Sequence, residues 1–288
     1  MTDDTEGQHA MTGTGGELTE GEYDRFCKLI YRVAGIRIPG TKRVMVATRV
    51  RKRLRATGIS SFSAYLNFLS SAAGAGEMPL FVDVMTTNET YFYRDPHHYE
   101  WFDQTFLPEV IERARLRKRP RSLRVWSAAS STGEELYSIA LKVVSHRPEL
   151  TGWKLTLLGT DLSGAVLEAA RAGVYDDRAV HLVGDEERRV HFTHDPVART
   201  WTLGREVKAA TSFRLHNLLE PLNEPPFDCI FIKNVLIYFD ADSKKTVVQH
   251  LLAALAKGGY LVVGPSEGIY GMLGALTKHK SWLYQKPA

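Results

Sequence analysis

Two adjacent glutamates, Glu134 and Glu135, follow the small residues Ser130 to Gly133 where the apolar stretch LRVWSAAS gives way to a helical pattern. A strand that turns through small residues directly into a helix points backbone N–H groups outward, and Gly133 lets a ligand come close to the main chain. Many such turns serve only tight strand-to-helix packing, and no G-x-G-x-x-G is present. Acids in a first helical turn complement the helix dipole as structural residues, but they repel a phosphate and attract an ammonium group. The next apolar run, KLTLLGTD, ends in Asp161, where an acid commonly accepts hydrogen bonds from ribose hydroxyls. The competing reading of Asp161, which precedes Leu162 and Ser163, is a plain helix N-cap. A ribose with an amine and no phosphate suggests S-adenosylmethionine.

The elements that must position these residues follow from pattern. The 288 residues are 44% hydrophobic and 24% charged, which excludes disordered, collagen-like and small disulfide-scaffold chains, and the length favours two domains. The acidic N-terminus is unlike a signal peptide and no apolar run reaches the ~18 residues of a membrane span, so a soluble, cytoplasmic protein is expected. Cys27 and Cys229 read as core thiols. Residues 1–16 read as a disordered tail. Thr19 and Glu22 form a T-x-x-E capping box that opens a helix stopped at Gly35. In the basic stretch Lys42 to Arg55, with seven cations and no acid, Val46, Ala47, Val50 and Leu54 fall on one helical face and leave Arg49, Arg51, Lys52, Arg53 and Arg55 around the other. Short helical patterns follow at 62–69 and 80–85. A second basic run, Arg113 to Arg124, also holds seven cations and no acid. Each run is either a solvated surface or a site for an anionic partner.

Beyond it, strand and helix patterns alternate: LRVWSAAS, a helix over 134–144, KLTLLGTD, a helix over 163–172, then SFRLHNLL, FDCIFIKNVLIYF, a helix around 243–255, GGYLVVGPSE and HKSWLYQK. This predicts a mostly parallel α/β sheet. The charged segment 174–207 interrupts it, and HFTHDPVARTWTLG reads as a small inserted hairpin.

On TTNETYFYR (86–94), WSAASSTGEELYSIA (126–140), GTDLS (159–163), HNLLE (216–220) and KNVLIYFD (233–240), in this order, the chain resembles the CheR family of methyltransferases. The resemblance implies an S-adenosylmethionine-dependent, Rossmann-like α/β methyltransferase domain with a small inserted β-subdomain, preceded by an all-helical domain. The expected division is a helical domain over 17–90, a linker and connecting helix over 91–121, and the methyltransferase domain over 122–288, with the β-subdomain at about 174–210. The implied activity is methyl esterification of chemoreceptor glutamates with S-adenosylhomocysteine as product and no metal. Carried over by matching positions, the cofactor pocket comprises Asn88, Thr90, Arg94, Glu135, Asp161, Asn217, Leu218, Lys233 and Asn234. In that reading Glu135 holds the methionyl ammonium, Asp161 the ribose, and Asn217 with Leu218 the adenine. Arg94 and Tyr238 flank the methyl as catalytic residues. Arg49, Arg51, Lys52, Arg53 and Arg55 become the receptor-docking surface, and the β-subdomain a place where a receptor C-terminal peptide adds to an edge at Trp201 to Val207. The partner is then the cytoplasmic helical domain of a chemoreceptor, met by a monomer that neither binds nucleic acid nor inserts into a membrane.

Three departures from the family pattern stand out. Lys233 replaces an arginine and loses its bidentate fork. Pro265 in GPSEG removes an imidazole and a backbone donor. Serine follows Ala129 where alanine or cysteine is common. The rival readings are a nucleic-acid methyltransferase and a catalytically silent receptor-binding scaffold. For the first, EPPF (224–227) stands before the strand FDCIFI and not at its carboxyl end, where KNVLIYF stands. Against the second stand the intact Arg94, Glu135, Asp161 and Tyr238, while Lys233 and Pro265 keep it open. His97 with His98, and His191 with His194, lack metal-ligand company and read as surface or capping residues.

Overall fold

A computed structural model describes residues 16–288, so the predicted tail lies almost wholly outside the described residues. The chain forms two compact units, one of residues up to Val33 with Arg37–Met85, and one of Ala34–Ile36 with Thr86–Ala288.

The first unit is all helical, with α1 (Glu20–Ala34), α2 (Arg43–Thr57), α3 (Phe62–Leu69) and α4 (Met78–Met85). The capping box is formed: Thr19 donates from N–H and hydroxyl to the Glu22 carboxylate at 3.0 and 2.8 Å. Phe26, Phe62, Tyr65 and Phe81 meet in the core with ring centroids 5.8 to 6.4 Å apart. Val46, Ala47, Val50 and Leu54 of α2 are buried as the spacing predicts. The opposite face differs from the expectation of free cations. Arg53 forks onto Glu77 at 2.7 and 2.9 Å, and the Tyr65 hydroxyl donates to the same carboxylate at 2.7 Å. Arg49 donates to the Met85 carbonyl at 2.7 Å, and Arg51 lies over the Phe62 ring. A buried carboxylate needs a cation or a full set of hydrogen bonds, and Arg53 on the flank of α2 supplies a cation to Glu77. Only Lys52 and Arg55 of the five are exposed.

The second unit begins with α5 (Pro96–Trp101), a π-turn at Phe102–Phe106 and α6 (Leu107–Arg115). Then β1 (Ser122–Ala128), α7 (Glu134–Ser145), β2 (Lys154–Asp161) and α8 (Gly164–Ala172) alternate as predicted. The insertion holds β3 (Val174–Asp176), α9 (Asp185–His191), β4 (Phe192–Asp195), β5 (Thr200–Leu203) and α10 (Arg205–Ala209). The main sheet is completed by β6 (Thr211–Leu215), β7 (Phe227–Ile232), α11 (Ala241–Ala254), β8 (Leu255–Val263), β9 (Thr277–Lys280) and β10 (Leu283–Gln285). Its order is β6-β2-β1-β7-β8-β10-β9, parallel through β8 and antiparallel over the last two strands.

Successive residues of the central strands point to opposite faces. Val125, Leu157, Cys229 and Phe231 join a core with Phe102 and Ile139, whereas Trp126, Leu158, Ile230 and Ile232 join one with Val247 and Leu251. Both faces are covered, so these strands read as unbroken apolar runs.

Two expectations are corrected. β5 pairs with β3 on one side and β4 on the other, and Arg205–Ala209 is helical, so Trp201 to Val207 offers no free edge. The run KNVLIYF is not strand: β7 stops at Ile232, Asn234 takes a left-handed φ of 58°, and a 3₁₀ turn spans Leu236–Tyr238.

Candidate active site

The parallel strands β2, β1 and β7 end side by side, Thr160 opposite Ala128 and Ala128 opposite Ile232. Ligands of open α/β sheets bind at this carboxyl edge. The loop after β1 turns through Ala129 and Ser131, both with positive φ, and Gly133 at φ 94° before α7 starts. A Cβ on Gly133 would lie 2.9 Å from Ala170 and 3.0 Å from the Tyr137 ring, so glycine is required both by conformation and by space.

Asp161 is not the N-cap of α8. Ser163 takes that role by accepting from Val166 N–H, while Asp161 accepts from Ser163 N–H at 3.0 Å and from Ser131 N–H at 2.9 Å. Its carboxylate therefore binds the β1 loop to the end of β2. The His216 N–H bonds to the Asp161 carbonyl at 2.9 Å, which brings Asn217 and the buried Leu218 to the same edge.

The segment 86–94 joins this edge from outside the sheet. Ser131 donates to the Asn88 carbonyl at 3.2 Å, and the Asn88 amide donates to the Thr86 hydroxyl at 3.1 Å. Phe92 packs on Tyr175 and Phe192 of the insertion, and the Tyr93 hydroxyl donates to Glu187 at 2.7 Å. Arg94 is thus held between two anchored residues with left-handed backbone, Tyr93 at φ 58° and Asp95 at φ 61°. Its guanidinium donates to the Glu89 carbonyl at 3.0 Å and forms no ion pair among the described residues. Of seven non-glycine residues with positive φ among the described residues, five (Tyr93, Asp95, Ala129, Ser131, Asn234) lie in these segments. Each costs of order ~1 kcal/mol, and such strain collects at functional sites.

Lys233 is the hub of the charges. Its side chain is 2% exposed, donates to the Arg94 carbonyl, and lies 3.3 Å from Asp95, 3.8 Å from Glu135 and 5.1 Å from the centre of the Tyr99 ring. Glu135 accepts from the Ser127 hydroxyl at 2.7 Å. Burial pushes the Glu135 carboxyl up, and Lys233 and Ser127 oppose that rise. Asn234 follows, and its buried side-chain carbonyl has no hydrogen-bond partner. Tyr238 is half-buried with an uncommitted hydroxyl, and Thr90 is half-buried with no side-chain bond.

At this edge Ser131 ties Asn88 to Asp161, Lys233 ties the Arg94 carbonyl to Glu135, and Asn234 follows Lys233 in the chain. No side-chain bond ties Thr90 or Tyr238 to them. Arg49, Arg51, Lys52, Arg53 and Arg55 belong to the other unit. Two residues were missed by sequence reasoning. Asp95, beside Arg94, is a partner of Lys233. Glu267, in GPSEG, is fully buried and accepts from the N–H groups of Asn234, Val235 and Leu236. The signal was present as an acid inside an apolar strand-to-loop segment. His98 is corrected as well: it is buried against the Trp282 ring at 4.4 Å, and burial with the nearby Lys233 pushes its imidazole far down, so it is neutral.

The donor set suits a ligand with a cationic part. Carboxylates line the loop, the central ammonium is engaged by them, and an unpaired buried acceptor stands at Asn234. A phosphate would find the wrong sign of charge. Among the described residues there is no metal-holding group of three acids, histidines or cysteines, and no helix is long and apolar enough to cross a membrane.

The fold and this edge define an S-adenosylmethionine-dependent methyltransferase. Residues 88–283 match the profile of the CheR methyltransferase SAM-binding domain, and residues 21–86 that of the CheR methyltransferase all-alpha domain. The chain belongs to the CheR methyltransferase family. It is 37% identical over 246 residues to a probable chemotaxis protein methyltransferase of Rhizobium etli, covering 84% of this chain and 91% of that one. It is 35% identical over 264 residues to the chemotaxis protein methyltransferase of Salmonella typhimurium, covering 89% and 86%. With that of Escherichia coli the identity is 35% over 258 residues, covering 87% and 85%.

Proposed function

We propose that this protein transfers the methyl group of S-adenosylmethionine to glutamate side chains of chemoreceptors, giving glutamate methyl esters and S-adenosylhomocysteine. The observation that carries the reading is the Arg94 guanidinium, without an ion pair among the described residues, on a residue set between two left-handed neighbours and held through its carbonyl by Lys233, the partner of Glu135. S-adenosylmethionine, when bound, supplies a sulfonium-activated methyl, so an incoming carboxylate oxygen forms the C–O bond while the C–S electron pair returns to sulfur. The glutamate nucleophile is ionised at neutral pH, with an ordinary pKa of ~4.3, so no general base is needed and the protein's task is positioning. Arg94 orients the target carboxylate through charge-assisted hydrogen bonds, and the Tyr238 hydroxyl donates beside the reacting centre. Glu135 pairs with the methionyl ammonium, Asp161 accepts from the ribose, Asn217 and Leu218 border the adenine, and Asn88, Thr90 and Asn234 complete the pocket. Lys233 acts from beneath, keeping Glu135 charged and the Arg94 turn in place.

Residues 17–90 serve receptor docking and residues 122–288 catalysis. A receptor tail would add to β3 or β4, the outer strands of the inserted sheet, by strand addition.

Tritiated methyl transfer to a chemoreceptor cytoplasmic fragment tests this function. The expected label is released as methanol by mild alkali, as esters are and methylated amines are not. Asp161→Ala loses the charge-assisted hydrogen bonds from Ser131 of the β1 loop and from Ser163 at the start of α8 and weakens S-adenosylhomocysteine binding by roughly 10- to 100-fold in calorimetry. Alkali-stable label, or none, overturns the reading.

A further inference from the structure

The turn from Asn234 to Tyr238 carries two of the residues assigned to the reaction, yet nothing in its own sequence explains its shape. Asn234 is left-handed at φ 58° and Val235 right-handed at φ −118°, ψ −42°. Successive residues of opposite hand turn their N–H groups to one side and form a concavity that binds an anion. Here the anion is internal. One oxygen of Glu267 accepts from Asn234 N–H, and the other accepts from Leu236 N–H at 2.7 Å and Val235 N–H at 3.3 Å. No cation lies within ion-pair distance of this carboxylate among the described residues, so the three N–H groups are its only hydrogen-bond partners.

The surroundings fix the carboxylate in turn. Lys244 of α11 donates from its ammonium to the Glu267 carbonyl at 2.7 Å. A Cβ on Gly264 would stand 2.6 Å from a Glu267 carboxylate oxygen and 3.1 Å from Asn234 N, so the glycine at the end of β8 leaves the channel through which the side chain reaches the turn. A fully buried carboxylate is costly unless its hydrogen bonds are complete, and here they are spent on one turn.

We infer that Glu267 is a positioning residue for methyl transfer, whose carboxylate holds the Asn234–Tyr238 turn in the conformation that presents the Asn234 amide and the Tyr238 hydroxyl to the reacting groups. The inference rests on the proposed function and adds to it a residue that touches neither cofactor nor substrate.

Glu267→Gln is the decisive variant, because both oxygens are in use and an amide NH₂ at either place sets donor against donor. Gly264→Ala is its independent partner, displacing the carboxylate from outside. Three quantities are measured on each: S-adenosylhomocysteine affinity and stoichiometry by calorimetry, kcat per binding-competent site on a receptor fragment, and hydrogen exchange at the amides of Asn234, Val235 and Leu236. The expected result is a kcat per site lower by about 10- to 100-fold, as for a misplacement of about 1 Å, with affinity changed less than about fivefold and exchange at the three amides accelerated. A merely structural role would lower the number of competent sites and leave kcat per site unchanged, and that outcome overturns the inference. Unchanged exchange in both variants overturns it as well. If the unaltered protein itself transfers no methyl to the receptor, the functional reading fails, and the positioning role fails with it.

Discussion

At the residue scale the site is a set of buried charges whose partners decide their state. Glu134 accepts from the Thr132 hydroxyl at 2.7 Å but pairs with no cation among the described residues, and burial pushes its carboxyl up to about 7 despite that bond. A carboxyl raised on folding binds its proton more tightly in the native state than in the unfolded chain, so stability is full below the ordinary value near 4.5 and declines as pH rises through 7. Glu134→Gln keeps an acceptor for Thr132 and removes the titration. It is expected to melt at nearly the same temperature as the parent at pH 5 and to exceed it at pH 8, by a difference of about 3 kcal/mol at most. Parallel pH–Tm curves for the two proteins would contradict that account. Lys233→Met leaves Asp95 and Glu135 without their cation, and a stranded buried charge costs roughly 3–5 kcal/mol. Lys233→Arg keeps the charge and is expected to retain much more of the stability, which urea denaturation measures. The acids at Glu135 and Asp161 were legible from position after a strand. The burial of Lys233 beneath the site was not, because nothing local in KNVLIYFD distinguishes a lysine facing a ligand from one facing two carboxylates.

At the scale of elements, legibility follows the distance between cause and effect along the chain. Strands β1 and β2 and helices α7 and α8 were readable because apolar runs, small residues and Ser163 specify them within a few residues. The end of β7 was not readable, since the carboxylate that shapes the turn after it arrives 33 residues later along the chain. The pairing of β5 was hidden for the same reason: its hairpin with β4 is local, but β3 comes from before α9. Gly133 shows a local cause with a measurable effect. Gly133→Ala meets both a φ of 94° and contacts under 3.1 Å, so about 1–3 kcal/mol of destabilisation is expected together with weakened S-adenosylhomocysteine binding. Gly58, at φ 72° with open space around its Cβ position, is the control. Gly58→Ala should show the left-handed strain alone and leave cofactor affinity unchanged in calorimetry, and equal loss of affinity in the two variants would show that the β1 loop has no special part in binding.

At the scale of the whole molecule, a formal net charge of +4 hides how unevenly the cations are committed. Arg53 belongs to the core of the helical unit, with side chains 18% and 8% exposed across its pair with Glu77. Burial pushes Glu77 up, but the hydrogen bonds from Arg53 and Tyr65 and the charge of Arg53 outweigh it and leave that carboxyl below its ordinary value. Charge reversal at Arg53 would therefore test stability before it tested docking: Arg53→Ala alone strands a buried carboxylate and is expected to cost several kcal/mol, on the order of 3–5. Lys52 and Arg55 separate the two questions, because both are exposed and unpaired among the described residues. The double variant Lys52→Glu, Arg55→Glu should melt within about 2 °C of the parent, as surface substitutions do. At low salt its kcat/KM on a receptor fragment should fall by roughly tenfold, with S-adenosylmethionine affinity unchanged. The deficit should shrink as salt rises toward 0.5 M, where the screening length falls below ~5 Å. A tenfold loss that persists at high salt would assign these residues to direct contact instead of steering, and an unchanged kcat/KM at low salt would remove the basic helix from receptor recognition.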